Sequence, residues 1–508
     1  MKAILLTTLL AAPPACSVLT AKPKDVKPAR PNIIWIMADD LGYGDISCYG
    51  AKRIQTPNID RVARQGIRFT DMHACASTST PSRYGILTGE YPFCHPGTDV
   101  AAGNAASIIW PQQFTLADAM KRAGYRTAAL GKWHLGLGSR TGEQDWNKRL
   151  DVSLDSLGFD YSYIMAATAD RVPCVFIEQG VIANYDPSAP VEVSYRKNFE
   201  GEPTGASHPE LLTKLRPSHG HDMSIVNGIS RIGFMKGGGK ALWRDEDIAD
   251  SITSHALQFM HQTDEPFFMY LCTNDIHVPR MPHERFRGKS PMGLRGEAIL
   301  SLDETVGAVT KELERLGQLK NTLIIITSDN GPVLDDGYDD QAEELAGEHR
   351  PGGPFRGGKY SAFEAGSVVP FIVSWPAQVK PGVSKALVSQ VDAVRTLAAI
   401  AGADIPEGAA PHSMDMHQTW LGKSKEARPY AVKMAANHTL VLRTTEWKYI
   451  EPSNGGPMIN FGPKIESGYL SKPQLYRFDA HPYEQDNQAE AYPDIVKQMQ
   501  ETIDALKK

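Results

Sequence analysis

The sequence is poor in the features that mark several large protein classes. Cysteine is scarce, with six residues at 16, 48, 75, 94, 174 and 272 and no C-x-x-C spacing among them. That pattern excludes a cysteine-ligated zinc site and gives no disulfide framework, leaving scattered thiols as the simplest reading. Positive charge is not in excess. The 53 Lys and Arg are outnumbered by 59 Asp and Glu, for a net charge of −6, so a general nucleic-acid binder is excluded and any anion site rests on local charge placement. Beyond the N-terminus no apolar run is long enough to cross a membrane. No internal repeat is present, which excludes solenoid and propeller arrays.

What remains is an ordinary globular composition, 42 % hydrophobic and 22 % charged, on a chain of 508 residues that can bury a large core. Lys2, an apolar run and then small residues over 1–21 have the pattern of an export signal. Ala15-Cys16 leaves open a bacterial lipoprotein junction, so the chain is expected to be exported, either periplasmic or associated with the outer membrane. A Pro/Lys linker follows over 22–31.

Four apolar runs then stop abruptly at polar residues. "NIIWIMA" ends at Asp39-Asp40, "RTAALG" at Lys132-Trp133-His134, "PFFMYLCTND" at Ile276-His277, and "NTLIIIT" at Ser328-Asp329-Asn330. Continuous rather than alternating apolar runs read as strands buried on both faces. Helical patterns such as "TPNIDRVARQGIRF", "TLADAMKRAGY" and "AILSLDETVGAVTKELERLG" lie between them. The alternation predicts an α/β fold with a large, mostly parallel sheet and ligands beyond the carboxyl ends of its strands. Residues 165–245, rich in Gly, Pro and His, read as an insertion lining a cleft. From about 426 to 508 antiparallel strand patterns and a closing helix predict a smaller α+β subdomain.

In "STPSRYGILTG", hydroxyl residues and Pro81 are helix-start chemistry, which places Ser79 at a helix N-terminus with Arg83 one turn on. No base stands nearby in sequence to activate it. Asp39-Asp40 and Asp329-Asn330 are each ordinary turn chemistry alone. Together, both closing apolar strands, they offer hard oxygen ligands suited to Ca²⁺ or Mg²⁺. Lys132 and Lys359 sit beside glycines, where backbone can approach a ligand, and His134 and His277 share the expected rim. A divalent metal, several cations and a helix-terminal hydroxyl describe a site for a tetrahedral oxyanion ester, phosphate or sulfate.

"PNIIWIMADDLGYGDISCYG", "STPSRYGILTG", "GKWHLG", "SDNG" and "RGGKYSAFEAGSVVPFIVSWP" resemble the type I, formylglycine-dependent sulfatases of the alkaline phosphatase superfamily. The signature C/S-x-P-S-R is matched by Ser79-Thr80-Pro81-Ser82-Arg83. The resemblance implies an alkaline phosphatase-like catalytic domain over 31–425, with residue 79 oxidised to formylglycine. The hydrated aldehyde attacks sulfur with one hydroxyl, and the other then collapses to expel sulfate. A plain serine would be left as a stable ester. The serine form implies a maturation enzyme of the radical SAM type.

Carried over, the resemblance implies Ca²⁺ held by Asp39, Asp40, Asp329, Asn330 and residue 79. It also implies Arg83 orienting the hydrate, and Lys132 and Lys359 on the sulfate oxygens. His134 assists collapse, and His277 is the general acid toward the leaving alcohol. The substrate it implies is a sulfated glycan, galactose or N-acetylgalactosamine sulfate, attacked from the chain end. His219, His221, Asp222, His349 and Arg350 are then candidate sugar contacts. Two other readings stay open: a phosphate-ester or phosphonate hydrolase of the same superfamily, and a non-catalytic sulfated-glycan binder.

Overall fold

The run at 32–38 has no charged side chain and needs protein on both of its faces. In the computed structural model, which describes residues 30–263, 265–478 and 483–508, it forms an inner strand, β1 (Asn32–Ala38), of a ten-stranded sheet. The other strands, in chain order, are β2 (Ile67–Phe69), β3 (Arg126–Lys132), β4 (Tyr161–Met165), β5 (Phe176–Glu178), β6 (Val181–Ile182), β7 (Phe267–Cys272), β8 (Thr322–Ser328), β9 (Phe371–Ser374) and β10 (Gly382–Ser384). Their spatial order is β10-β2-β9-β8-β1-β7-β3-β4-β5-β6. The middle block β8-β1-β7-β3-β4 is parallel, and antiparallel pairings flank it on both sides. The four apolar runs are therefore immediate neighbours.

Helices α1 (Pro57–Arg64), α2 (Ser79–Thr88), α3 (Leu116–Arg122), α4 (Ile248–His261), α5 (Gly293–Arg315) and α6 (Ala393–Ala401) flank the sheet. They form two packed groups, α1-α4-α5 and α2-α3-α6. Helix α2 begins at Ser79, so Pro81 takes its third position rather than its first. The missing N–H costs nothing there, because amides of the first turn lack intrahelical acceptors.

The insertion is woven into the body: β5 and β6 extend the main sheet, while Glu192–Ser194 pairs with Phe234–Lys236 as a separate ribbon. Strands β11 (Ala431–Met434), β12 (Leu440–Arg443), β13 (Trp447–Ile450) and β14 (Gln474–Arg477) form the C-terminal antiparallel sheet, closed by α7 (Pro493–Leu506). This sheet is bonded to the catalytic body. The amide of Ser77 donates to Met434 at 2.9 Å, and buried Glu364 pairs with Lys433 and with Lys448. Residues 31–508 accordingly cluster as one compact unit. Among the described residues, Cys75, Cys174 and Cys272 are buried, Cys48 and Cys94 half-buried, and all five are free thiols. The export signal over 1–21, with Cys16, lies outside the described residues.

Candidate active site

Strand register assembles the site. Ala38 stands opposite Ser328, while Cys272 pairs with both Met37 and Gly131. Parallel strands ending at one level deliver their next residues to one place. These are Asp39-Asp40, Asp329-Asn330, Lys132 and the loop to His277, and α2 adds Ser79 and Arg83 from its first turn-and-a-half.

Lys132 Nζ donates to Ser79 Oγ at 2.7 Å and pairs with Asp39 Oδ2 at 2.6 Å. Ser79 Oγ also lies 3.5 Å from Asp39 Oδ1 and 3.3 Å from Asn330 Oδ1. Arg83 grips Asp329 Oδ2 through Nε at 2.9 Å and Nη2 at 2.8 Å. Lys359 Nζ bridges Asp40 Oδ2 and Asp336 Oδ2, each at 2.8 Å. Asn330 donates Nδ2 to Asp40 and to the Gly331 carbonyl, which leaves its Oδ1 facing Ser79.

All of these groups are buried, so their charges depend on one another. Burial works to raise the Asp329 carboxyl, yet Arg83 and Lys132 hold it well below the usual range. Burial pushes the Asp39 carboxyl up in spite of Lys132. It also draws the Lys132 ammonium down against the pull of Asp39 and Asp329. At Lys359 the balance reverses: Asp336 and Asp40 overcome burial and keep the ammonium charged.

Burial, with Lys132, Arg171 and Arg83 close by, drives the His134 imidazole well below its ordinary value. Its Nε2 donates to the Ala101 carbonyl at 2.9 Å, so neutral His134 keeps a buried, unpartnered Nδ1 acceptor. His277 donates Nδ1–H to the Val278 carbonyl at 2.7 Å, and its Nε2 lies 3.7 Å from Asp40 Oδ2.

The donor chemistry fits a hard divalent cation. Three buried carboxylates, the Asn330 amide oxygen and the oxygen at residue 79 converge, and ligand atoms of Asp39, Asp40 and His277 fall within 4.8 Å of one another.

Above this cluster is a cavity of about 330 Å³, with Ser79, His134, His277 and Lys359 among its lining. Asp170, Arg171, Asp336 and Tyr360 also line it, and sequence reasoning named none of them. His219 and His221 are on its wall. His221 Nε2 lies 2.9 Å from Asp170 Oδ2, whose charge raises the imidazole against the effect of burial.

Three candidate sugar contacts are placed elsewhere. Asp222 and Arg350 are exposed, outside the lining of the cavity. His349 is buried with its Nε2 2.7 Å from Asp45 Oδ1, on a carboxylate that Arg295 also grips with two 2.7 Å bonds. Burial works to raise Asp45, but Arg295 and His349 hold it at about 2, below the ordinary 3.8. A depressed carboxyl stabilises the fold above its unfolded pKa and loses that contribution as pH falls. The expected contribution is about 2 kcal/mol, complete above pH ~4 and lost toward pH ~2. His349→Gln is therefore expected to cost stability of about 1–2 kcal/mol at neutral pH and to start acid unfolding at higher pH, with KM unchanged. Equilibrium unfolding across acid pH checks this. A raised KM with native stability would return His349 to the substrate.

The site gathers Lys132, Arg83 and Lys359 around Ser79 at the carboxyl ends of the parallel strands, a setting for a small oxyanion ester. The sulfatase family profile matches residues 31–403. The chain belongs to the sulfatase family and is a sulfuric ester hydrolase. It is 49 % identical over 493 residues to an N-acetylgalactosamine-6-O-sulfatase of Bacteroides thetaiotaomicron, covering 97 % of this chain and 96 % of that one. Human arylsulfatase A is 30 % identical over 427 residues, covering 81 % of this chain and 72 % of the relative.

A solved Bacteroides thetaiotaomicron structure, described under the metabolism of multiple glycosaminoglycans, superposes with a TM-score of 0.92 at 50 % identity, covering 94 % of this chain and 99 % of that one. Phosphonate monoester hydrolase of Agrobacterium radiobacter shares the fold at a TM-score of 0.58 and 17 % identity, with 94 % of this chain and 95 % of that one covered.

Proposed function

We propose that this sulfatase removes 6-O-sulfate from N-acetylgalactosamine, or from the related galactose residue, at the end of a sulfated glycan. The observation that carries the substrate is the 49 % identity, along 97 % of the chain, to an N-acetylgalactosamine-6-O-sulfatase. Residue 79, as formylglycine, would supply a nucleophilic hydroxyl and a second hydroxyl from which sulfate is expelled. In support, among the described residues no imidazole is bonded to Ser79; its oxygen meets Lys132, Asp39 and Asn330.

Asp39, Asp40, Asp329, Asn330 and residue 79 would hold Ca²⁺, whose charge would polarise the sulfuryl oxygens. Arg83 positions Asp329 and the residue-79 hydroxyls. Lys132 and Lys359 carry positive charge toward the equatorial oxygens and the leaving oxygen. His134, neutral with a free Nδ1, takes a proton during release of sulfate, and His277 gives one to the leaving alcohol. The catalytic domain is read as 31–425 with its insertion at 165–245, and 426–508 as the subdomain. Export through 1–21 to a bacterial periplasm or outer membrane, and maturation by a radical SAM enzyme, complete the reading.

Peptide mass over 75–93 tests the first step, because conversion removes one pair of hydrogens from Ser79. Turnover of 6-sulfated N-acetylgalactosamine against its phosphate counterpart tests the reaction. Chelation of calcium is expected to lower kcat by at least about 100-fold, with recovery on adding calcium back. Converted Ser79 with turnover of phosphate esters only would overturn the proposal.

A further inference from the structure

The cavity has two unlike sides. Its floor is charged, but one wall carries Tyr360 and Phe461, and Phe461 is 51 % exposed. Phe461 comes from the C-terminal subdomain, on the segment 453–466 between β13 and β14. That segment is built rather than loose. Ile459 N–H donates to the Ile465 carbonyl at 2.8 Å, Ser361 Oγ to the Glu466 carbonyl at 2.6 Å, and Arg356 pairs with Glu466 at 2.7 Å. Gly462, at φ +135, seats the segment against the insertion: a Cβ at 462 would lie 2.1 Å from His219 Nε2.

The rings of Phe461 and Tyr360 are nearly perpendicular, at 84°, with centroids 4.8 Å apart. Tyr360 is itself anchored, its hydroxyl donating to Asp336 Oδ1 at 2.7 Å. Asp336 also holds Lys359, so the aromatic wall and the cationic floor share one carboxylate.

An aromatic face carries negative charge and attracts polarised C–H groups. A pyranose with an axial 4-hydroxyl offers such a surface, because its C3, C4 and C5 hydrogens lie together on one side. We propose that Phe461 is a specificity-determining platform on which the sulfated sugar stacks its C–H face while the ester points to the cationic floor. This rests on the glycan-sulfatase reading and adds to it a residue supplied by the C-terminal subdomain.

Phe461→Ala, Phe461→Leu and Phe461→Trp separate ring face from apolar bulk. With 6-sulfated N-acetylgalactosamine, kcat/KM is expected to fall about tenfold in the Ala and Leu variants, nearly all through KM, and to recover in the Trp variant. Inhibition by inorganic sulfate, which meets only the floor, and the melting temperature should stay native in all three. A native KM in Phe461→Ala, a loss in kcat alone, or full activity in Phe461→Leu overturns the platform and leaves the glycan reading intact. Failure of the unmutated enzyme to cleave any sulfated sugar removes both.

Discussion

Replacing Ser79 with alanine is expected to lower sulfate-ester turnover by on the order of 10⁵-fold, with a melting temperature within about 3 °C of native. The two halves of that expectation have separate causes. Helix α2 starts at Ser79 without a side-chain cap hydrogen bond, so removing Oγ leaves the helix terminus as it was. Lys132, whose ammonium donates to Oγ at 2.7 Å, keeps its 2.6 Å pairing with Asp39. The chemistry has no substitute. Among the described residues around the oxygen, Lys132, Asp39, Asn330 and Asp329 are its partners, and none can take over as a nucleophile toward sulfur.

The same protein retaining unconverted serine at 79 is expected to be as inactive as the alanine variant. A hydroxyl without the second oxygen on the same carbon can attack only once. Stopped turnover, thermal melts and peptide mass on the three samples check this together. Sustained turnover by the unconverted serine protein would remove the aldehyde from the mechanism.

The convergence of the candidate site's floor was legible in the sequence because parallel strands buried on both faces are continuously apolar and end together at polar residues. β1, β3, β7 and β8 each announce their ends by a change from apolar to charged residues, and the register does the rest. The cavity wall was not legible, for a reason seen at "LDDGYDD". Asp336 and Asp340 are buried while Asp339 is exposed, and the turn through Gly337, at φ +110, decides which is which. Nothing in local composition separates these aspartates. His349 shows a different dependence. It lies close in sequence to Lys359 in a glycine-rich stretch that looks like a site, yet the carboxylate of Asp45, some 300 residues away in the chain, orients it instead. Phe461 belongs to an irregular segment with no periodicity to read. Its placement depends on contacts with Ser361, Arg356 and His219, none of them local.

His277→Ala should separate substrates by leaving group. Its Nδ1–H is committed to the Val278 carbonyl at 2.7 Å, which fixes the ring, so Nε2 is the nitrogen available to the cavity that His277 lines. A proton delivered from there matters most when the departing oxygen is a poor leaving group. Loss of kcat/KM is expected to be on the order of 10³-fold for a sulfated sugar, whose alkoxide leaves badly without a proton. For an aryl sulfate bearing a nitro group, whose phenoxide leaves unaided, the loss should stay below about tenfold. Asp336 Oδ2 lies 3.9 Å and Asp40 Oδ2 3.7 Å from the same nitrogen, so removing the imidazole also changes the field at these two carboxylates. That second effect would weaken both substrates alike, which is why the ratio between them, rather than either rate, is the measurement. An equal loss on both would make His277 a positioning residue for Asp40 and assign the proton to another group.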